Sequence, residues 1–374
     1  MNQTPIVAEF MELVRLSVNS RQERAMADVL SAKLRAMGFS VEEDDCGAKI
    51  GGQAGNIIAR LAGDRGLTPL MFSAHMDRVA NHGHIDPRIE GEFIRSDGSS
   101  ILGADDVSGI CAILDGLRRV LEEKIPHGEI EIVFSVAEEV GLLGARHLDY
   151  SRLKAPMAYV LDTGGPIGTI VNQAPTQYTF KLRLQGRSAH AGIEPEKGLS
   201  AIRVAATALS RLREGRLSPY TTSNFGVFKA GEVTNIVCEL AELKGEARST
   251  RPRELADYLE EVERVFKLTA DEFGAGFSFE AELEYETFRV DEGEEVIGLA
   301  EAAMKELGLE PRIVASGGGM DGNYFNRNGI KAVGLSPGYD KVHTSQEQQS
   351  IPQLMACGRL VTEIIKKSAR LSID

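Results

Sequence analysis

No Cys-x-x-Cys pair occurs among the four cysteines, Cys46, Cys111, Cys238 and Cys357, which are scattered over 374 residues. That spacing supports neither a thiolate zinc site nor a disulfide framework, and free thiols are expected. No apolar run reaches the roughly 20 residues of a membrane-spanning helix. The opening Met-Asn-Gln-Thr-Pro leads into a helical pattern carrying Glu9 and Glu12, so a signal peptide is not expected and a cytoplasmic location is. Positive charge is also short: 42 Lys and Arg stand against 55 Asp and Glu, a formal net charge of −13. Such a surface repels phosphate, which argues against nucleic acid or an anionic membrane as partner. Internal repeats, low-complexity tracts and a P-loop pattern are all missing.

What is present reads as a soluble α/β protein. Apolar and charged contents of 43% and 26% are ordinary for a globular chain. The length exceeds the roughly 250–300 residues at which a single core stops growing, so two domains are expected. Ile6, Val7, Phe10, Met11, Val14 and Leu16 form a helical stripe. Ser20-Arg-Gln-Glu23 reads as a capping box opening a second helix that Gly38 can end. Apolar strands near 55–62, 69–75, 129–136 and 157–161, with a helix after Asp106, give the alternation of an α/β sheet. From about Gln177 the texture changes to strand, helix at 197–213, short strands to Ser249, helix at 252–273 and strand at 276–287. That order is ferredoxin-like with one extra short strand. The expected division is a catalytic domain over 1–175 and 288–374, interrupted by an α+β insert over 176–287.

Acidic clusters stand at the strand ends. His75 and Asp77 close one apolar run, Glu138 and Glu139 another, and Asp162 a third; Asp105 and Asp106 precede a helix, and His343 lies far downstream. Taken singly, a His-x-Asp is more often a structural pair, a Glu-Glu a solvated face and an Asp-Asp before Gly a turn. Their shared placement changes the reading, because open α/β sheets bind ligands outside the carboxyl ends of their strands. A carboxylate can bridge two cations about 3.5–4 Å apart, and Asp105 is the natural bridge. One metal would then take His75, Asp105 and Asp162, the other Asp105, Glu139 and His343. Three carboxylates against four positive charges leave a surplus that lowers the pKa of a shared water. Asp77 is expected to orient His75, and Glu138 to act as general base and then acid. Imidazole and carboxylate together indicate zinc, two ions per chain, with Co²⁺ or Mn²⁺ also suited. Two adjacent acidic residues of which only one aims between the metals lead us to expect a cis peptide at Asp105-Asp106.

The stretches Ser73-Ala-His-Met-Asp77, Ser96-Asp-Gly-Ser-Ser-Ile-Leu-Gly-Ala-Asp-Asp106, Ala137-Glu-Glu-Val-Gly141, Asp162-Thr-Gly-Gly165, Gly186-Arg-Ser-Ala-His-Ala-Gly192 and Ser316-Gly-Gly-Gly-Met-Asp-Gly322 span most of the chain. On them the chain resembles the two-zinc exopeptidases and deacylases that include peptidase T, glutamate carboxypeptidase, acetylornithine deacetylase and succinyl-diaminopimelate desuccinylase, and looks most like peptidase T. The resemblance implies the roles given above to the seven residues, a zinc-exopeptidase-like mixed sheet flanked by helices, and an inserted lid domain that often pairs subunits into a homodimer. It implies a small peptide as substrate, and a tripeptide aminopeptidase as the activity. An N-acyl amino-acid deacylase with the same metal chemistry is the alternative, and a non-catalytic metal-binding relative a third. Two positions depart from the usual pattern: Val107 stands where Lys commonly follows the Asp pair, and Arg78 where Thr commonly follows His-x-Asp. Neither is a ligand position. Aminopeptidases of the tetrahedral, glucanase-like type place their extra domain between these two motifs, where only 27 residues separate Asp77 from Asp105.

Substrate contacts are expected from the insert and one glycine loop. His190, by the resemblance, would donate to the developing oxyanion. Arg248 could clamp a carboxylate in bidentate geometry, with Asn235 a further candidate. In Gly317-Gly-Gly319, Gly318 and Gly319 could let backbone N–H groups approach the substrate. His82 and His84 are read as solvated loop histidines.

Overall fold

The computed structural model describes residues 4–79 and 84–371; His82 lies outside them. The chain divides into two compact units, Met1–Gln173 with Phe288–Ser316 and Met320–Asp374, and Ala174–Thr287 with Gly317–Gly319.

The first unit is built on a nine-stranded mixed sheet. Its centre is four parallel strands in the order Ile130–Ser135, Leu70–His75, Met157–Val160 and Lys331–Leu335. The first three are buried along their whole length, as parallel strands covered on both faces require. Antiparallel strands extend the sheet, Ile57–Leu61 beside Ile130–Ser135 and Thr169–Ala174 beside Lys331–Leu335. Helices flank it, and the long helices Ala104–Glu122 and Ile351–Ser368 pack on each other. Gly116 makes their close approach possible, because a Cβ there would lie 2.6 Å from Val361. Parallel alignment brings the carboxyl ends of the central strands to one side, and the chain leaves three of them through His75, Glu138-Glu139 and Asp162.

A four-stranded sheet of short strands also belongs to this unit, in the order Tyr339–Asp340, Gln348–Ser350, Phe93–Arg95 and Arg88–Glu90. Its first pair is antiparallel, Tyr339 opposite Gln349 and Asp340 opposite Gln348. The hairpin so formed carries His343 in its loop, with the imidazole residue at φ 60°. These strands are two or three residues long, too short to be legible as a periodic pattern.

The expected capping box does not form. The helix begins at Arg24 behind Glu23, with no side-chain cap. The Ser20 hydroxyl instead donates to Asp77 Oδ2 at 2.6 Å, and Glu23 accepts from the backbone N–H of Arg21 and of Ala137. A distant carboxylate takes the Ser20 hydroxyl, and the Glu23 carboxyl is held by one local and one distant backbone N–H. Gly38, at φ 89°, does follow the end of that helix.

The second unit is a five-stranded antiparallel sheet in the order Gly215–Ser218, Thr221–Ala230, Leu240–Ser249, Thr176–Gln185 and Gly276–Tyr285. Helices Ala201–Leu209 and Pro252–Phe273 pack on each other and on its strands. The chain order is strand, helix, three strands, helix, strand. Phe180, Leu182, Leu184, Val204, Leu243 and Phe266 anchor its separate core.

Candidate metal centre

The strand Leu70–His75 ends on a buried imidazole. His75 Nδ1 lies 2.9 Å from the carbonyl oxygen of Asp77 and 3.5 Å from Asp77 Oδ1, which turns Nε2 the other way. Nε2 is 3.1 Å from Asp105 Oδ1 and 3.8 Å from Asp162 Oδ1. On the other side of Asp105, His343 Nε2 lies 3.4 Å from Asp105 Oδ2 and 3.2 Å from Glu139 Oε1. Two triads result, His75 with Asp105 and Asp162, and Asp105 with Glu139 and His343, each offering ligand atoms within 4.8 Å of one another. They share Asp105, each of its oxygens facing a different imidazole.

The Asp105-Asp106 peptide is cis. Asp106 turns away from the triads. Its Oδ2 accepts the backbone N–H of His75 at 3.2 Å and its Oδ1 that of Gly109 at 3.1 Å. Asp106 therefore ties the strand end to the helix that carries Asp105. Asp77 has a wider part than orienting His75. It accepts the N–H of Glu138 at 3.0 Å and of Glu139 at 3.3 Å, besides the Ser20 hydroxyl. One fully buried carboxylate thus faces one triad's imidazole and holds the backbone of the Glu pair.

The electrostatics are those of a crowded acidic cluster. Burial and the neighbouring Asp162 push the Glu138 carboxyl well above its ordinary range, and burial with Asp105 does the same to Asp162. Asp105 goes the other way: burial raises it, but hydrogen bonds from His343 and His75 hold it below the usual carboxylate range. His343 is pushed up to about 10 by Asp105 and Glu139. Glu139 Oε1 is buried facing the His343 imidazole at 3.2 Å, and Asp321 Oδ1 is buried with no hydrogen-bond partner among the described residues. Five carboxylates around two imidazoles are expensive to bury without positive charge. The donors are nitrogen and oxygen only, a set that suits zinc, cobalt or manganese.

Three groups near the triads had no assignment from sequence. The Tyr339 hydroxyl lies 3.1 Å from Asp162 Oδ1 and 3.5 Å from Asp105 Oδ1, on a side chain 2% exposed. Asp321 accepts the Ser135 hydroxyl, and burial pushes its carboxyl up to about 6. Glu347, 1% exposed, accepts the N–H of Gly103 at 2.6 Å and of Asp105 at 3.1 Å. The available signal was proximity to His343, since Tyr339 and Glu347 lie four residues either side of it.

The expected substrate residues fall within the second unit. His190 is exposed, forms an isolated bridge with Ile236, and accepts the N–H of Gly192 on Nδ1 at 3.2 Å. The carbonyl of exposed Asn235 accepts the N–H of Ala191, so these two candidates share one loop pairing. Arg248 donates from Nε and Nη2 to Glu246, both at 3.0 Å. A fork expected to face a carboxylate is engaged by this internal one. Gly319 N–H donates to the Tyr285 hydroxyl at 3.1 Å, and a Cβ there would lie 2.3 Å from the Tyr285 ring. Close packing against that ring, and not ligand approach alone, requires glycine at 319. Gly318 lies beside it in the same half-buried loop.

A mixed α/β sheet with clustered carboxylates, one buried imidazole and one exposed imidazole at its carboxyl edge defines the class as an α/β protein with a candidate metal centre. Residues 71–367 match the model of peptidase family M20/M25/M40. The uncharacterized protein YqjE of Bacillus subtilis (strain 168) is 36% identical over 370 residues, covering 99% of this chain and 100% of that protein. Among solved structures, a tripeptidase from Staphylococcus aureus is 36% identical with a TM-score of 0.94, and aminopeptidase PepT from Bacillus cereus is 38% identical with a TM-score of 0.88. Each alignment covers 99% of both chains. The chain belongs to peptidase family M20/M25/M40, as a peptidase T-like metallopeptidase.

Proposed function

We propose that this metallopeptidase is a dinuclear zinc aminopeptidase that removes the N-terminal residue of tripeptides. The observation that carries the metal part is the pair of triads sharing Asp105. His75, Asp105 and Asp162 would hold one ion, and Asp105, Glu139 and His343 the other. When bound, such a pair polarises the scissile carbonyl and activates water.

The chain's own groups do the rest. Glu138 is 8% exposed and takes no part in either triad. Its carboxylate, outside both triads, can accept a proton from the attacking water and deliver it to the departing amine. Asp77 keeps Glu138 in place through its backbone N–H. Tyr339 donates to Asp162 and limits its rotation. His190 as donor to the oxyanion, with Asn235, Gly318 and Gly319 as further contacts, is assigned on chemistry and on the resemblance; so are a lid role for the 176–287 insert, a homodimer and a cytoplasmic location. No helix among the described residues is long and apolar enough to cross a membrane.

The tripeptide assignment is supported by the name of the Staphylococcus aureus relative, and by Arg248, whose guanidinium can meet a C-terminal carboxylate once Glu246 shares it. The test is a hydrolysis screen of di-, tri- and tetrapeptides beside N-acetyl and N-succinyl amino acids. Free tripeptides are expected to be the best substrates. Amidating the C-terminus is expected to raise KM with a smaller change in kcat, and Arg248→Ala to abolish that difference. Equal cleavage of free and amidated tripeptides, or cleavage of N-acylated amino acids alone, would replace this reading with a deacylase.

A further inference from the structure

The segment 339–349 returns to Asp105 three times. Tyr339 faces one carboxylate oxygen and His343 the other, while Glu347 holds the backbone. Of these, Glu347 makes the contacts that decide where Asp105 can point. Its Oε2 accepts the N–H of Gly103 at 2.6 Å and its Oε1 that of Asp105 at 3.1 Å. The first bond is buried and the second partly so, and both converge on one carboxyl group.

The turn they hold is closed from the other side by Arg78, the residue that departs from the usual pattern. Arg78 is 3% exposed; its Nη1 donates to the Val14 carbonyl at 2.9 Å and its Nη2 to that of Leu16. Its aliphatic stem crosses Gly103, where a Cβ would lie 2.3 Å from Arg78 Cδ, and Gly103 is itself at φ 79°. The turn before Asp105 is therefore confined by the Arg78 stem and hung from the Glu347 carboxylate.

We propose that Glu347 is a positioning residue for the bridging carboxylate: it fixes the Gly103–Asp105 backbone so that Asp105 presents one oxygen to each triad. This rests on the dinuclear reading above. Asp105 is common to both triads, so a loosened Asp105 weakens both together. Loss of a mere anchor for the His343 loop would instead weaken one triad, that of Glu139 and His343. The two roles are thus separable by counting ions.

The experiment is Co²⁺ binding to the full chain in metal-buffered dialysis, read by metal content and visible absorption, for wild type, Glu347→Ala and Glu347→Gln. Thermal unfolding of the metal-free proteins is recorded alongside. The Ala variant is expected to lose roughly 10–100-fold in Co²⁺ affinity at both sites in parallel, the range for groups that orient metal ligands. The Gln variant keeps one accepting oxygen and the same size, so it is expected to fall between, and it decides the matter if the Ala variant does not fold. A wild-type absorption spectrum and unchanged affinity in the folded variants would overturn the proposal. So would loss confined to one site, or a fall in thermal stability with both affinities intact. A wild-type chain that fails to bind two ions would overturn the dinuclear reading itself, and this proposal with it.

Discussion

Glu138→Gln is expected to retain two metal ions per chain and to lose at least roughly 10²-fold in kcat, the lower end of general-base contributions. The carboxylate is buried beside Glu139 but belongs to neither triad, so removing its charge leaves all five proposed ligands in place. The amide is nearly isosteric and cannot take a proton from water. KM should change little, because the group acts on the reacting proton and not on substrate binding. Metal content and steady-state kinetics on the same preparation check it. Release of one ion from the variant would make Glu138 a ligand, and an unchanged kcat would remove it from the chemistry.

Asp105→Ala should have a larger effect, since both triads lose the same member. Metal content is expected to fall below two per chain, and kcat by more than the roughly 10²-fold of the Glu138 variant, because the chemistry that depends on metal goes with it. His343→Ala gives the contrast: the triad of His75, Asp105 and Asp162 keeps all its side chains, so one ion is expected to stay. Far-UV circular dichroism separates lost binding from lost folding. An Asp105→Ala chain that holds two ions would show that the carboxylate does not bridge, and the paired-triad reading would fall.

The sheet core was legible because its strands are short apolar runs that end in charge. Leu70–His75 and Ile130–Ser135 are buried throughout, and in the sequence they stand out as hydrophobic blocks closed by His75 and by Glu138-Glu139. The helix Pro252–Phe273 was equally visible, from its amphipathic pattern and the proline at its start. Long periodic elements announce themselves because burial on one side of a regular backbone imposes a period on the residue types. The candidate ligands could be named for a related reason: a site built from carboxylate and imidazole side chains leaves their identity in the chain, and the fold brings these five into two triads.

What supports those ligands was not legible. Ser20-Arg-Gln-Glu23 has the form of a capping box, and only the folded chain shows Ser20 donating to Asp77, 57 residues away. Glu347 looks like any surface glutamate beside a loop histidine, yet it is 1% exposed and holds the backbone of a residue 242 positions earlier. Arg248 looks free to grip a substrate until Glu246 is seen beside it. By itself the sequence determined which residue types could bind metal and where the strands carrying them end. Tertiary structure alone decided which buried groups hold those residues in register, because hydrogen-bond partners distant in the chain meet only after the sheet has brought its strand ends together, and no local pattern encodes that meeting.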